Sequence, residues 1–441
     1  MYENIGEAKS KKEKGIIKIC NKERYYMQKW IGIMGIIFML TGCKMSEAPT
    51  NLMEAPANEK WISELKEQID KDLPVNYRLL TPMSNKDKQM IWSMDFKQDN
   101  KKEAIIFYKL PNADHSVYLA VYEINGNGWK MKSTHKFDGG DVDIVEVGDF
   151  TENGKRELLI GISVDRESLE HVLYVFSEEN EDMREIYNRN YTKLFIDDLN
   201  KNGLKDLSLV TYEKDEKLTV EFIEQFKTVS EVSFDPFINS IQRIQMGRIS
   251  QALKAIVIDA GTGAHSGITY VAKFDKGHYE TLPIDGKEDL FNEYVVESKD
   301  VNEDGIIEFV RTVRPKGWED KSHGDSPLFE RYIQWSESGI KPIEERYIDI
   351  EKGYYVKIPK ELIGKITIPD ERKESNSQKF LETSTNKTWL EVHIFKRKEW
   401  FEIKGYSAAV KTASHIYAVP KQPHFEKVKA YVKPLADYQQ E

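Results

Sequence analysis

An acidic loop that recurs at a near-constant interval restricts this 441-residue chain more than any other feature. Four copies align as Asp95-Phe-Lys-Gln-Asp99-Asn-Lys-Lys-Glu103, Asp149-Phe-Thr-Glu-Asn153-Gly154-Lys-Arg-Glu157, Asp198-Leu-Asn200-Lys-Asn202-Gly203-Leu-Lys-Asp206 and Asp300-Val-Asn302-Glu-Asp304-Gly305-Ile-Ile-Glu308. Their first residues lie 54, 49 and 102 positions apart. The last gap is two periods, so a degenerate fifth copy is expected near 247. Gly247-Arg-Ile-Ser-Gln-Ala-Leu-Lys-Ala255, followed by Ile256-Val257-Ile258, fills the place. A period of about fifty residues is that of a repeat architecture, in which no unit can bury its apolar face alone.

Within each copy the apolar residues alternate with period two, which is a strand pattern. The second copy reads as strands 142–147, 158–162, 172–176 and 184–187. The third reads as 193–196, 207–212, 218–226 and 229–234 with the same order. Four-stranded units of this length are the blades of a β-propeller. The expected fold is mainly β: five four-stranded blades over 79–348, followed by a small α+β domain over 349–441. Strands at 353–359, 365–368 and 389–395 and an apolar stripe of Phe425, Val428, Tyr431, Val432 and Leu435 mark that last segment. Ahead of the blades, Trp61, Leu65, Ile69 and Leu73 recur at four-residue spacing, the stripe of a short helix.

The Asp300 loop places oxygen side chains at positions 1, 3, 5 and 9, with glycine at position 6, where the backbone turns sharply. Hard oxygens so spaced suit Ca²⁺, with the Ile306 carbonyl as a further ligand beside Asp300, Asn302, Asp304 and Glu308. Asp198, Asn200, Asn202, the Leu204 carbonyl and Asp206 form a weaker set. The loops at 95 and 149 carry Lys97 and Thr151 where the other two carry an amide oxygen, and the copy at 247 cannot ligate at all. The same sequences also read as Asx turns bracing a hairpin without metal. In register, these loops resemble the FG-GAP or VCBS-type repeats of integrin-α-like propellers over about Met90 to Trp335. The resemblance implies calcium in a structural role and a protein that binds other macromolecules. Glu in place of the final Asp in three copies, and the loss of the motif in one, depart from that pattern.

The N-terminus has its own logic. Lys18, Lys22, Arg24 and Lys29 precede an apolar run from Trp30 to Leu40, the order of a secretory signal. The run is short of the roughly 20 apolar residues a membrane span needs. It ends in Leu40-Thr41-Gly42-Cys43, which resembles the bacterial lipobox. That resemblance implies cleavage before Cys43 and acylation of its thiol, with two or more chains giving stable anchoring. The expectation is residues 1–43 as a signal peptide and 44–78 as a tether with the short helix, carried on the extracytoplasmic face of the cell membrane. Cys20 and Cys43 are the two cysteines, so the folded part has no disulfide to draw on. Counting 64 Lys and Arg against 74 Asp and Glu gives a net charge of −10, which argues against nucleic acid.

In a four-stranded meander the first and third turns share one edge, so the acidic loops mark that edge. The loops between strands two and three, and the links between blades, share the other. On that second edge the sequence places 114–115, 165–171, 259–267 and 314–327, and Asp259, His265, Trp318, His323 and Asp325 are the candidate ligand-binding residues, because long loops on rigid scaffolds commonly carry function. No local motif announces a catalytic residue. The expected function is a membrane-anchored lipoprotein whose propeller binds or scaffolds a protein or glycan. The alternatives are a hydrolase or lyase acting on envelope polysaccharide and a purely structural envelope component.

Overall fold

The structure is a computed structural model that describes residues 57–96, 100–126, 128–165, 167–179, 182–283, 290–322, 324, 326–369 and 376–440. The signal segment, Cys43 and the tether up to residue 56 lie outside the described residues. Two compact units are separable. The smaller holds residues up to Val75 together with Asn125–Lys130, and the larger holds Asn76–Ile124 and Met131–Glu441.

In the smaller unit the expected helix is present as α1 (Ala57–Asp72). Leu65 and Ile69 are fully buried, and the Trp61 ring lies 6.0 Å from that of Trp129. Among the described residues no helix is long and apolar enough to cross a membrane.

The larger unit is built from antiparallel sheets in succession. Sheet one holds β1 (Arg78–Leu79), β2 (Ile91–Met94), β3 (Glu103–Lys109), β4 (Ser116–Asn125) and β5 (Gly128–Asp138), with β1 and β2 sharing one edge of β3. Sheet two runs β6 (Asp141–Gly148), β7 (Glu157–Ser163), β8 (His171–Glu179) and β9 (Asp182–Tyr191). Sheet three runs β10 (Lys193–Asp197), β11 (Asp206–Glu213), β12 (Lys217–Glu224) and β13 (Lys227–Ser233). Sheet four runs β14 (Ser240–Arg248), β15 (Lys254–Thr262), β16 (Ser266–Asp275) and β17 (His278–Thr281), and β18 (Leu290–Asn292) pairs with β16 beside β17. In sheet five the first strand is reduced to a single bridge, Lys299 to Glu308, before β19 (Phe309–Val313), β20 (Leu328–Ser336) and β21 (Gly339–Asp349).

Period-two alternation puts successive side chains on opposite faces, and here both faces are covered. On β7, Leu158, Ile160 and Ile162 pack with Ile105, Phe107 and Leu119 of sheet one. Leu159 turns the other way, onto Leu194, Leu207 and Leu209 of sheet three. On β15, Ile256 and Ile258 join Val210, Val220 and Phe222 of sheet three, while Ala255 and Val257 join Ile307, Phe309 and Ile333 of sheet five. Each such side chain stabilises the stack by roughly 1.5–3 kcal/mol when fully buried. Four-stranded meanders packed face to face in chain order are propeller blades. The fold is a mainly β protein of propeller type.

The last segment holds strands and short helices as expected, but the expected boundary at 348/349 falls inside a sheet. Asp349 accepts the Gly353 N–H at its carbonyl and the Lys352 N–H at Oδ1, both at 2.9 Å. This tight reversal, with Gly353 at φ 75°, returns the chain at once as β22 (Tyr354–Ile358) against β21. A further sheet then forms from β23 (Ile366–Thr367), β24 (Ser377–Glu382), β25 (Thr388–Lys396), β26 (Tyr406–Lys411) and β27 (His415–Pro420). Helix α2 (Pro423–Val428) follows, then β28 (Val432–Pro434), which pairs with β22, and α3 (Leu435–Gln440). Phe380, Trp389, Leu390 and Val392 of that sheet share one apolar cluster with Phe329, Tyr347, Tyr354 and Val356 of sheet five. The C-terminal strands therefore have no core of their own apart from the fifth sheet.

Candidate functional site

Strand register places the four acidic loops equivalently. Met94 pairs with Glu103, Gly148 with Glu157, Asp197 with Asp206 and Lys299 with Glu308, so each loop leaves the first strand of its sheet and enters the second at the same position. Two hydrogen bonds recur in all four. The backbone N–H at position 6 donates to the Oδ2 of position 1: Asn100 to Asp95 at 2.9 Å, Gly154 to Asp149 at 2.9 Å, Gly203 to Asp198 at 3.0 Å and Gly305 to Asp300 at 2.7 Å. The N–H at position 2 donates to the acid at position 9: Phe96 to Glu103, Phe150 to Glu157, Leu199 to Asp206 and Val301 to Glu308, at 2.8–3.2 Å. Position 6 has φ between 65° and 91° in every copy, which is why it is Gly three times and Asn once. The fifth copy closes differently, with Ser250 Oγ accepting the Ala252 and Leu253 N–H groups.

These loops are thus Asx-braced hairpins, and the acid at position 9 is a buried structural residue in each. Burial pushes Glu308 up to about 7, with Asp304 and Asp300 adding to the effect. Asp206 is pushed up to about 6 in the same way, with Glu224 and Asp198 adding. At the Asp300 loop, Asp304 Oδ2 and Glu308 Oε1 both accept from Gln334 Nε2 at 3.1 Å, and Asn302 Nδ2 donates to Glu308 at 3.3 Å. Side-chain amides stand here against carboxylate oxygens that a hard cation would also suit. Among the described residues no three acidic or histidine side chains are gathered as a metal ion would require. The donor types fit calcium, and their present arrangement satisfies them through amides and backbone N–H groups.

On the opposite edge, the described residues singled out from sequence, Asp259, His265 and Trp318, stand in three different settings. Asp259 lies within β15 and is 0% exposed. It accepts from Thr269 Oγ1 at 2.6 Å, Ser298 Oγ at 2.9 Å and Ser298 N at 2.8 Å, and burial pushes its carboxyl up to about 6. It ties sheet four to the chain entering sheet five and faces no ligand. The strand simply continues past Ile258, because Thr269 and Ser298 make a buried carboxylate tolerable. Trp318 is likewise a core residue: it is 5% exposed, packs in the cluster between sheet five and the C-terminal sheet, and donates its indole N–H to the Ile368 carbonyl at 2.9 Å. His265 is exposed in the turn between β15 and β16. His323 and Asp325 lie outside the described residues.

Two roomy clefts nevertheless open on this edge. One, of about 350 Å³, lies where the chain enters sheets one and two and is lined by Arg78, Thr81, Met83, Lys88 and Asp141. The other, of about 390 Å³, lies between sheets two and three. Its wall is His171 from the start of β8, Tyr191 and Thr192 from the link into sheet three, and Thr211 and Tyr212 from the end of β11, with Glu170, Asn190 and Glu213 exposed around them. The His171 and Tyr191 rings stack with centroids 5.1 Å apart. Tyr191 donates to Asp143, which also accepts from Ser84. Tyr212 donates to the Ile238 carbonyl at 3.0 Å, so its ring is held in place. Burial lowers the His171 pKa against the opposing pull of Asp143, which favours neutral imidazole. Part of this wall is legible in the sequence: the 165–171 loop, which ends on His171, falls on this edge, whereas Tyr191, Thr192, Thr211 and Tyr212 stand at or beside the ends of strands that carry no loop motif.

No family model and no curated protein matches the chain. Among solved structures it is similar to the exotype rhamnogalacturonan lyase YesX, at 10% identity over 72% of this chain and 79% of that one, with a TM-score of 0.27. The β-propeller domain of the Trilobed protease from Pyrococcus furiosus is matched at 10% identity over 72% and 92%, with a TM-score of 0.26. The GH43 β-1,3-galactosidase BT0265 is matched at 8% identity over 79% and 83%, with a TM-score of 0.24. Likeness this distant says nothing of activity. The propeller reading stands on strand order and sheet-to-sheet packing.

Proposed function

We propose that this chain is a lipid-anchored extracytoplasmic lipoprotein whose propeller binds or scaffolds a protein or glycan partner through the edge opposite the acidic loops. One observation carries the choice of edge: the two clefts described above, of about 350 and 390 Å³, open there. The anchor rests on Leu40-Thr41-Gly42-Cys43 and the basic and apolar residues before it. Cys43→Ser is expected to abolish incorporation of radiolabelled palmitate and to shift the chain from the membrane pellet to the soluble fraction or an uncleaved precursor. Undiminished labelling of that variant would defeat the anchor.

An envelope-polysaccharide hydrolase or lyase has less support. Among the described residues the carboxyls whose pKa burial raises, as a general acid at neutral pH would need, are Asp206, Asp259, Glu308 and Glu330, and all four are engaged in holding the fold. A purely structural component leaves the two clefts without a role.

Calcium belongs to the same proposal as a structural ion, first at the Asp300 loop through Asp300, Asn302, Asp304, Glu308 and the Ile306 carbonyl, and more weakly at the Asp198 loop. A native-state ion at one hundred times its Kd adds about 2.7 kcal/mol. Thermal melting in millimolar Ca²⁺ should therefore end several degrees above melting in excess chelator, and Glu308→Gln should shrink the gap. Equal midpoints in the two buffers would remove calcium from the proposal.

A further inference from the structure

We propose that the cleft between sheets two and three is a sugar subsite that takes a ring bearing hydroxyl or ammonium donors and no negative charge. The inference rests on the binding-edge reading above and names its ligand class and its site. At about 390 Å³ the cleft is of a size to enclose one or two sugar rings.

The chemistry of the walls sets the class. Tyr212 and His171 supply aromatic surface, against which the C–H face of a sugar packs while its hydroxyls stay free to bond. Tyr212 is braced by Ile238, and His171 is backed at 5.1 Å by the buried Tyr191 ring, itself held by Asp143, so that surface is preorganised, with little ordering left to occur on binding. Glu170 and Glu213 offer carboxylate acceptors to hydroxyl or ammonium groups. Among the described residues neither lysine nor arginine lines the cleft, so a uronate or a phosphate entering it would meet the carboxylates of Glu170 and Glu213.

The test is calorimetric titration of the full acylated chain in detergent with three probes: a glucosamine trisaccharide, an N-acetylglucosamine trisaccharide and a galacturonic acid trisaccharide. At least one of the first two is expected to saturate, with galacturonate at least tenfold weaker. The exposed pair Glu170→Gln/Glu213→Gln should weaken that binding at least tenfold with an unchanged melting midpoint, and Glu170→Lys/Glu213→Lys should reverse the preference towards galacturonate. Galacturonate binding as tightly as the uncharged or cationic probes overturns the proposal, as does saturation by none of the three. Saccharide binding that survives the Lys pair also overturns this site, yet it leaves a glycan-binding propeller standing. Undiminished palmitate labelling of the Cys43→Ser variant would instead remove the tethered reading and leave the cleft result unaffected.

Discussion

Replacing Phe380 with Ala is expected to destabilise the chain by about 3–5 kcal/mol, the range for truncating a buried aromatic residue. Phe380 is 0% exposed and packs edge-on against Tyr347 at 5.0 Å and against Trp389 at 6.5 Å. Tyr347 belongs to sheet five and Trp389 to the C-terminal sheet, so one side chain spans the seam between them. The form of the unfolding curve matters as much as its midpoint. Because the two sheets share one apolar cluster, urea denaturation followed by circular dichroism should show the loss in the transition that includes sheet five. A separate early transition in the variant, with the blades unaffected, would mean that the C-terminal strands fold as an independent domain.

Glu157→Ala is expected to cost about 3 kcal/mol, and Glu157→Gln about 1 kcal/mol. Glu157 is 0% exposed, and its two oxygens accept from the Phe150 N–H and the Thr151 hydroxyl, each at 2.8 Å. Alanine leaves the buried Phe150 N–H unpaired, and it is the cost of that orphaned donor that sets the magnitude. Glutamine keeps an acceptor oxygen and gives up the charge. Asp149→Ala provides the contrast at the other end of the same loop. Its partner is the Gly154 N–H on the exposed side, which water can satisfy, so the loss should stay below about 1 kcal/mol. Scanning calorimetry of the three variants checks the order. Equal losses for Asp149→Ala and Glu157→Ala would show that the loop is held by something other than these two hydrogen bonds.

The loop chemistry was partly legible. Spacing marks positions 1, 3, 5 and 9 as oxygen positions and position 6 as a sharp turn at glycine, and the positive φ values bear out the turn. What the acids bind could not be read so directly. An Asp at position 1 or a Glu at position 9 is equally suited to a cation and to a backbone N–H, because both ask for the same hard, negative oxygen. The choice depends on what stands opposite, and Gln334, which bridges Asp304 and Glu308, comes from β20 well beyond the loop. Glu224 near the Asp198 loop, which accepts from Asn200 at 2.5 Å, escaped notice for the same reason.

The opposite edge shows the limit more sharply. Asp259 and Trp318 have the composition of a binding loop, and both are buried. Ser298 and Ile368, their partners, lie 39 and 50 residues further along the chain. A polar or aromatic residue near the end of a strand can finish its bonding on a neighbouring sheet or remain free for a ligand, and its own segment looks the same in either case.

By itself the amino-acid order determined the strand pattern, the fifty-residue repeat and the equivalent placing of the acidic loops, since alternation and turn chemistry are set by residues a few positions apart. Only the tertiary structure decided which sheet covers which, that the C-terminal strands extend the apolar stack of sheet five, and that a cleft opens between sheets two and three. Those outcomes depend on whether side chains from distant segments fill the space beside a given edge or leave it open, and that is a property of packed surfaces.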